Sequence, residues 1–121
     1  MKTPDSIHII ADFSGCPADL LQFSSQGEEI LKKTIEKSAL SCVMLMSHQF
    51  APVGYTAAAL LTESHITLHT WPEFSAVQID IFTCGSHDKA RLAFSELQNI
   101  FSPTRIAEKT LFRRLSSLVE D

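Results

Sequence analysis

The sequence predicts an α+β fold: a two-layer α/β sandwich with a mainly antiparallel sheet and two main helices. Three observations predict it. Two stretches, residues 28–39 and 87–101, carry apolar residues at helical spacing. The other apolar segments are short and strand-like, and the predicted order is β-α-β-β-β-β-α-β. Four of those strands follow one another with no helix between them, which favours antiparallel neighbours.

Residues 7–13 alternate apolar and other residues and predict the first strand. Ser14-Gly15-Cys16-Pro17 is a turn. Ser25-x-x-Glu28 forms a capping box before the first helix, whose apolar face is marked by Leu31, Ile35 and Ala39. Residues 41–46 predict a strand. Its run Cys42-Val43-Met44-Leu45-Met46 is apolar on both faces, so a central place is expected, with Cys42 in the core. Residues 49–56, with Pro52 and Gly54, read as a loop.

Two strands, 57–61 and 66–70, flank Glu63-Ser64, and Pro72 ends the second. Residues 76–83 form another strand. Val77, Ile79 and Ile81 lie on one face, with Gln78, Asp80, Phe82 and Cys84 on the other. Ser86 caps the second helix, which turns Ala90, Ala93, Leu97 and Ile100 inward and leaves His87 at the surface. A last strand covers 104–109, and 111–119 shows no clear period.

A chain of 121 residues is expected to form one domain, 1–121, with a real core. A net charge of −4 and the absence of a basic run argue against nucleic-acid binding; Lys32-Lys33 and Arg113-Arg114 are isolated basic pairs. No basic start followed by an apolar run suggests a signal peptide, and no apolar run is long enough for a bilayer. Three cysteines without a Cys-x-x-Cys make neither a disulfide framework nor a zinc site. No metal is expected, and reduced thiols fit a cytoplasmic protein.

Ser64, His69 and Cys84 are residue types that handle nucleophilic and proton-transfer chemistry. By type and spacing alone the plainer reading leads: a strand-end hydroxyl, a hydrogen-bonded histidine and a small core thiol. Phe50 and Trp71 likewise read as core aromatics, and Glu73 as a solvated turn residue.

Longer blocks narrow this. Glu63-Ser64-His65-Ile66-Thr67-Leu68-His69-Thr70-Trp71-Pro72-Glu73 resembles the signature of the prokaryotic S-adenosylmethionine decarboxylases, and so does Asp80-Ile81-Phe82-Thr83-Cys84-Gly85 at the family's spacing. His48-Gln49-Phe50-Ala51-Pro52-Val53-Gly54-Tyr55-Thr56 is similar to the family's His-x-Phe-x-Pro-x-Gly-x-Ser, with threonine in place of the last serine. Residues 7–16 resemble its first strand, with His8, Asp12 and Cys16 at matching places. Ala57 stands where the family has glycine, and Ser75-Ala76 replaces its Gly-aromatic pair. The last twenty or so residues match little.

The resemblance implies a two-layer sandwich and a self-processing enzyme. Ser64 would attack the carbonyl of Glu63, the chain would split between Glu63 and Ser64, and Ser64 would become a covalently bound pyruvoyl group. That group replaces pyridoxal phosphate as the electron sink for decarboxylation, taking the substrate amine as a Schiff base. His69 would remove the Ser64 α-proton, with Thr56 assisting. Cys84 would protonate the substrate Cα after carbon dioxide leaves, and its loss would leave processing largely intact. Phe50 and Trp71 would sit beside the adenine and sulfonium of S-adenosylmethionine, and Glu73 on its ribose. Decarboxylated product would serve as aminopropyl donor for polyamine (spermidine) synthesis. A homo-oligomer, at least a dimer of processed protomers, is expected. Two alternatives remain open: a pyruvoyl decarboxylase of ornithine or arginine, and an unprocessed inactive partner subunit.

Overall fold

The computed structural model describes residues 5–118. Six strands form one sheet: β1 (Asp5–Ser14), β2 (Cys42–Gln49), β3 (Tyr55–Leu61), β4 (Ser64–Trp71), β5 (Ala76–Thr83) and β6 (Arg105–Arg114). Two helices, α1 (Ser24–Ser38) and α2 (His87–Phe101), make the second layer. The strand order is β2-β3-β4-β5-β1-β6, and every neighbouring pair is antiparallel. The architecture is therefore the two-layer α+β sandwich that the element order predicts.

The core lies between the layers. Ile7, Ile9, Ala11 and Phe13 of β1, Val77, Ile79 and Ile81 of β5, and Ile66 and Leu68 of β4 are buried on one sheet face. They meet Ile30, Leu31 and Ile35 of α1 and Ala90, Ala93, Leu97 and Phe101 of α2. Gly27 of α1 is required here: a Cβ would come within 2.2 Å of the Tyr55 ring. Strand alternation sends the intervening residues to the opposite face, which no layer of the described residues covers. That open face carries His8, Asp12, Thr56, His65, Thr67, His69, Gln78, Asp80 and Phe82.

Several expectations are corrected. Strand β2 is an edge strand, not a central one. Only Leu45 packs on the core; Val43, Met44, Met46 and Cys42 are exposed. Apolar residues on both faces therefore do not mark burial within this chain: one of those faces belongs to the uncovered side. Helix α1 begins at Ser24, four residues before Glu28, and no side chain of its own caps it. The Ser24 N–H instead donates to Gln49 Oε1 at 2.7 Å, a cap supplied from the end of β2. Ala39 leaves the helix face and ends α1 in a left-handed conformation, φ 58°. Ser86 caps α2 as its sequence suggests, accepting from the Lys89 N–H; Ile100 is only half-buried and Phe101 takes the inner position. His87 is half-buried beside Phe112. The last strand runs through the aperiodic segment to Arg114, because pairing with β1 along ten residues organises it. Val119 lies outside the described residues.

Candidate active site

The residues singled out by their chemistry fall into two groups at opposite ends of β4. The first surrounds the Glu63–Ser64 peptide. Glu63 sits in the β3–β4 turn, and Ser64 opens β4 opposite Thr83 of β5. Because β5 ends there, Cys84 lies beside the turn. Its backbone N–H and its Sγ both donate to the Glu63 carbonyl oxygen, each at 3.2 Å. Gly85 keeps the approach close, since a Cβ there would lie 3.0 Å from Glu63 Cγ. Glu63 Oε2 is buried without a hydrogen-bond partner. Ser64 Oγ is 3.4 Å from His65 Nδ1, a long contact.

The second group lies at the other end. Thr70 is buried, with its hydroxyl donating to the Leu21 carbonyl at 2.9 Å and accepting from the Tyr55 N–H at 2.9 Å. Its neighbours His69 and Trp71 must then face the open side. His69 pairs in register with Thr56 on β3 and Gln78 on β5. Thr56 Oγ1 stands 3.2 Å from His69 Nδ1, within hydrogen-bonding distance. A hydroxyl there fixes the imidazole's orientation. Beyond this row a cavity of about 960 Å³ opens, walled by Phe50, Trp71, Glu73, His69, Thr56 and Gln78, with the 51–54 loop completing it. The volume suits a ligand of nucleoside size. Phe50 and Trp71 are each 46% exposed, so neither is a core aromatic. The Gln49 amide donates to the Gln22 and Gly54 carbonyls, holding the loop that presents Phe50.

The structure thus joins Glu63, Ser64 and Cys84 at one place, and Thr56, His69, Phe50, Trp71 and Glu73 at another. It does not bring the two together within the chain. Ser64 and His69 are five positions apart on one strand, about 16 Å at the usual rise per residue. His8 and Asp12 lie on the open face between β5 and β6; His8 Nε2 is 3.0 Å from Asp80 Oδ1. Cys16 is buried, and burial pushes its thiol up to about 11 from an ordinary 9.0. Burial, and then the charge of Cys16, also raise the nearby Tyr55 phenol. Two residues beside these groups were not singled out by the sequence reading. His65 had a signal, its place next to Ser64. Gln78 had none beyond its position on the open face.

Among the described residues no three His, Cys, Asp or Glu side chains gather as metal ligands. No helix among them is long and apolar enough to cross a membrane.

Comparison with known proteins bears on the whole chain. A family model described as S-adenosylmethionine decarboxylase matches residues 7–114. The S-adenosylmethionine decarboxylase proenzyme of Picrophilus torridus is 36% identical over 121 residues, covering 100% of this chain and 92% of its own. That of a Hydrogenobaculum species is 36% identical over 115 residues, covering 95% and 84%. The crystal structure of the adenosylmethionine decarboxylase from Aquifex aeolicus superposes with a TM-score of 0.86 at 33% identity, covering 92% of this chain and 91% of that one.

Proposed function

The chain belongs to the S-adenosylmethionine decarboxylase family, and we propose from that premise how its own residues perform the reaction. The function is pyruvoyl-dependent decarboxylation of S-adenosylmethionine by a chain that first processes itself, giving the aminopropyl donor for polyamine synthesis. A pyruvoyl carbonyl supplies the electron sink that loss of carbon dioxide from an amino acid requires.

In this reading Ser64 is the source of that group, and the contacts around it fit its formation. Ser64 Oγ attacks the Glu63 carbonyl carbon, and negative charge develops on the Glu63 oxygen. The Cys84 N–H and thiol already donate to that oxygen, as an oxyanion site would. Collapse breaks the peptide C–N bond, leaving Glu63 as an ester on Ser64 and Ser64 with a free amine. Removal of the Ser64 α-proton by a base expels the Glu63 carboxylate and leaves a dehydroalanine. Water then replaces its nitrogen, which departs as ammonia. The paired donation from Cys84 is the observation that carries the reading. It extends the part of Cys84 from protonating the substrate Cα to processing as well.

The base is His69, oriented by Thr56. Its distance from Ser64 along β4 supports a site shared between two copies of the chain. The open face has no cover among the described residues and exposes Ile10, Met44, Met46, Leu60 and Leu111 alongside its polar groups. Two copies laid face to face with their strands reversed bring the Ser64 end of one over the His69 end of the other. Each site then combines Glu63, Ser64 and Cys84 from one subunit with Thr56 and His69 from its partner. The cavity takes the nucleoside and sulfonium: Phe50 and Trp71 offer aromatic faces to the adenine and the cation, and Glu73 its carboxylate to the ribose hydroxyls. The three free cysteines suit a reducing cytoplasm.

Denaturing gel electrophoresis tests processing: fragments of residues 1–63 and 64–121 are expected, and a persistent full-length band supports an inactive partner subunit instead. Carbon dioxide release from S-adenosylmethionine, ornithine and arginine tests substrate choice. Only the first should turn over at an appreciable rate.

A further inference from the structure

Trp71 is the last residue of β4 and is 46% exposed, so packing alone does not fix its ring. A hydrogen bond does: the indole N–H donates to Gln78 Oε1 at 3.0 Å. Trp71 pairs in register with Ala76, and Gln78 lies two residues along β5, a diagonal cross-strand contact. The backbone at Gln78 is held firmly, because its neighbours Val77 and Ile79 are buried in the core. Gln78 also stands directly opposite His69, and all three residues line the one cavity.

We propose that Gln78 is a positioning residue which locks the Trp71 indole as a wall of the cavity before substrate arrives. This rests on reading the cavity as the nucleoside and sulfonium site. An aromatic face attracts a cation only when it is presented to it, and a ring that must be immobilised on binding weakens the complex. Gln78 suits the task because an indole offers a single donor and no acceptor, so only an acceptor can hold it. Its side chain need not touch the reacting atoms. Its loss therefore acts on substrate binding and leaves the chemical step alone.

Trp71 is the only tryptophan, so the protein's indole fluorescence reports on this wall alone. Acrylamide quenching without ligand, followed by titration with S-adenosylmethionine, is compared in Ser64→Ala protein with and without Gln78→Met or Gln78→Glu. KM and kcat are measured for the same Gln78 changes in processed enzyme. Gln78→Met should raise quenching and increase KM by on the order of 2- to 10-fold, the effect of one hydrogen bond, with little change in kcat. Gln78→Glu keeps an acceptor and should restore both. Quenching and KM of Gln78→Met equal to those of the parent overturn the role of Gln78. A parent emission indifferent to S-adenosylmethionine instead overturns the assignment of the cavity on which that role rests.

Discussion

The two ends of β4 differ in what they lack. At the Ser64 end stand a nucleophile, the carbonyl it would attack, and two donors on that carbonyl. At the His69 end stand an imidazole, a hydroxyl beside it and an aromatic cavity with a carboxylate at its edge. The first lies outside that cavity, and the imidazole of His65 stands 3.4 Å from Ser64 Oγ. The second has no carbonyl clamp. A strand within an antiparallel sheet cannot fold to bring positions five apart into contact, so the two groups stay separate within one chain. A site shared between two copies, as proposed above, is one arrangement in which the two ends would meet.

Loss of the Ser64 hydroxyl should matter most. Ser64→Ala should abolish cleavage altogether on a denaturing gel, since no oxygen remains to accept the Glu63 acyl group. His69→Ala should slow maturation by on the order of 10²- to 10⁴-fold, the usual contribution of a general base. The stalled chain should accumulate as an ester that hydroxylamine splits, while the same change at His65 should matter much less. Cys84→Ala should reduce carbon dioxide release by processed enzyme by a similar factor, through loss of the proton donor. It should slow cleavage only about 10-fold, because a thiol is a weak donor and the backbone N–H remains. Equal cleavage rates in Cys84→Ala and the parent would remove the thiol from the first step.

The smallest effect contrasts Cys84 with Cys16. Iodoacetamide at pH 8 should label exposed Cys42 and Cys84 readily and buried Cys16 slowly. Folding raises the Cys16 pKa, so the stability gained by keeping that thiol neutral is intact below about pH 9 and is lost as pH rises to about 11. Tyr55 acts in the same direction. The melting temperature should fall over that window, and less steeply in Cys16→Ala.

What could be read from the sequence was local. Strand β5 has the predicted limits, Ser86 caps α2, and the inward residues Ala90, Ala93 and Leu97 follow from helical spacing alone. What could not be read was supplied from far along the chain. The cap on α1 comes from Gln49, 25 positions away, so the local Ser25-Glu28 pattern misplaced the helix start. Cys84 reaches the Glu63 carbonyl across 21 positions, and Trp71 meets Gln78 diagonally between strands. Strand β2 misled for a different reason. Its second apolar face lies on the open side of the sheet, and hydropathy does not distinguish a face covered by the same chain from one left for another. Spacing within one motif likewise does not say which groups meet in space, so the separation of Ser64 from His69 was not legible either.

Complementation tests the shared site most directly. Ser64→Ala and His69→Ala chains, distinguishable by a tag, are each expected to remain uncleaved alone. Mixed by co-expression, they form pairs in which the Ser64 of one faces the His69 of the other. One intact site per mixed pair should then cleave the His69→Ala chain, and only that chain, in up to about half the molecules if pairing is random. A His69→Ala chain that stays whole in the mixture, with mixed pairs demonstrably present, would contradict a site built from two copies and return the base to the same chain as Ser64.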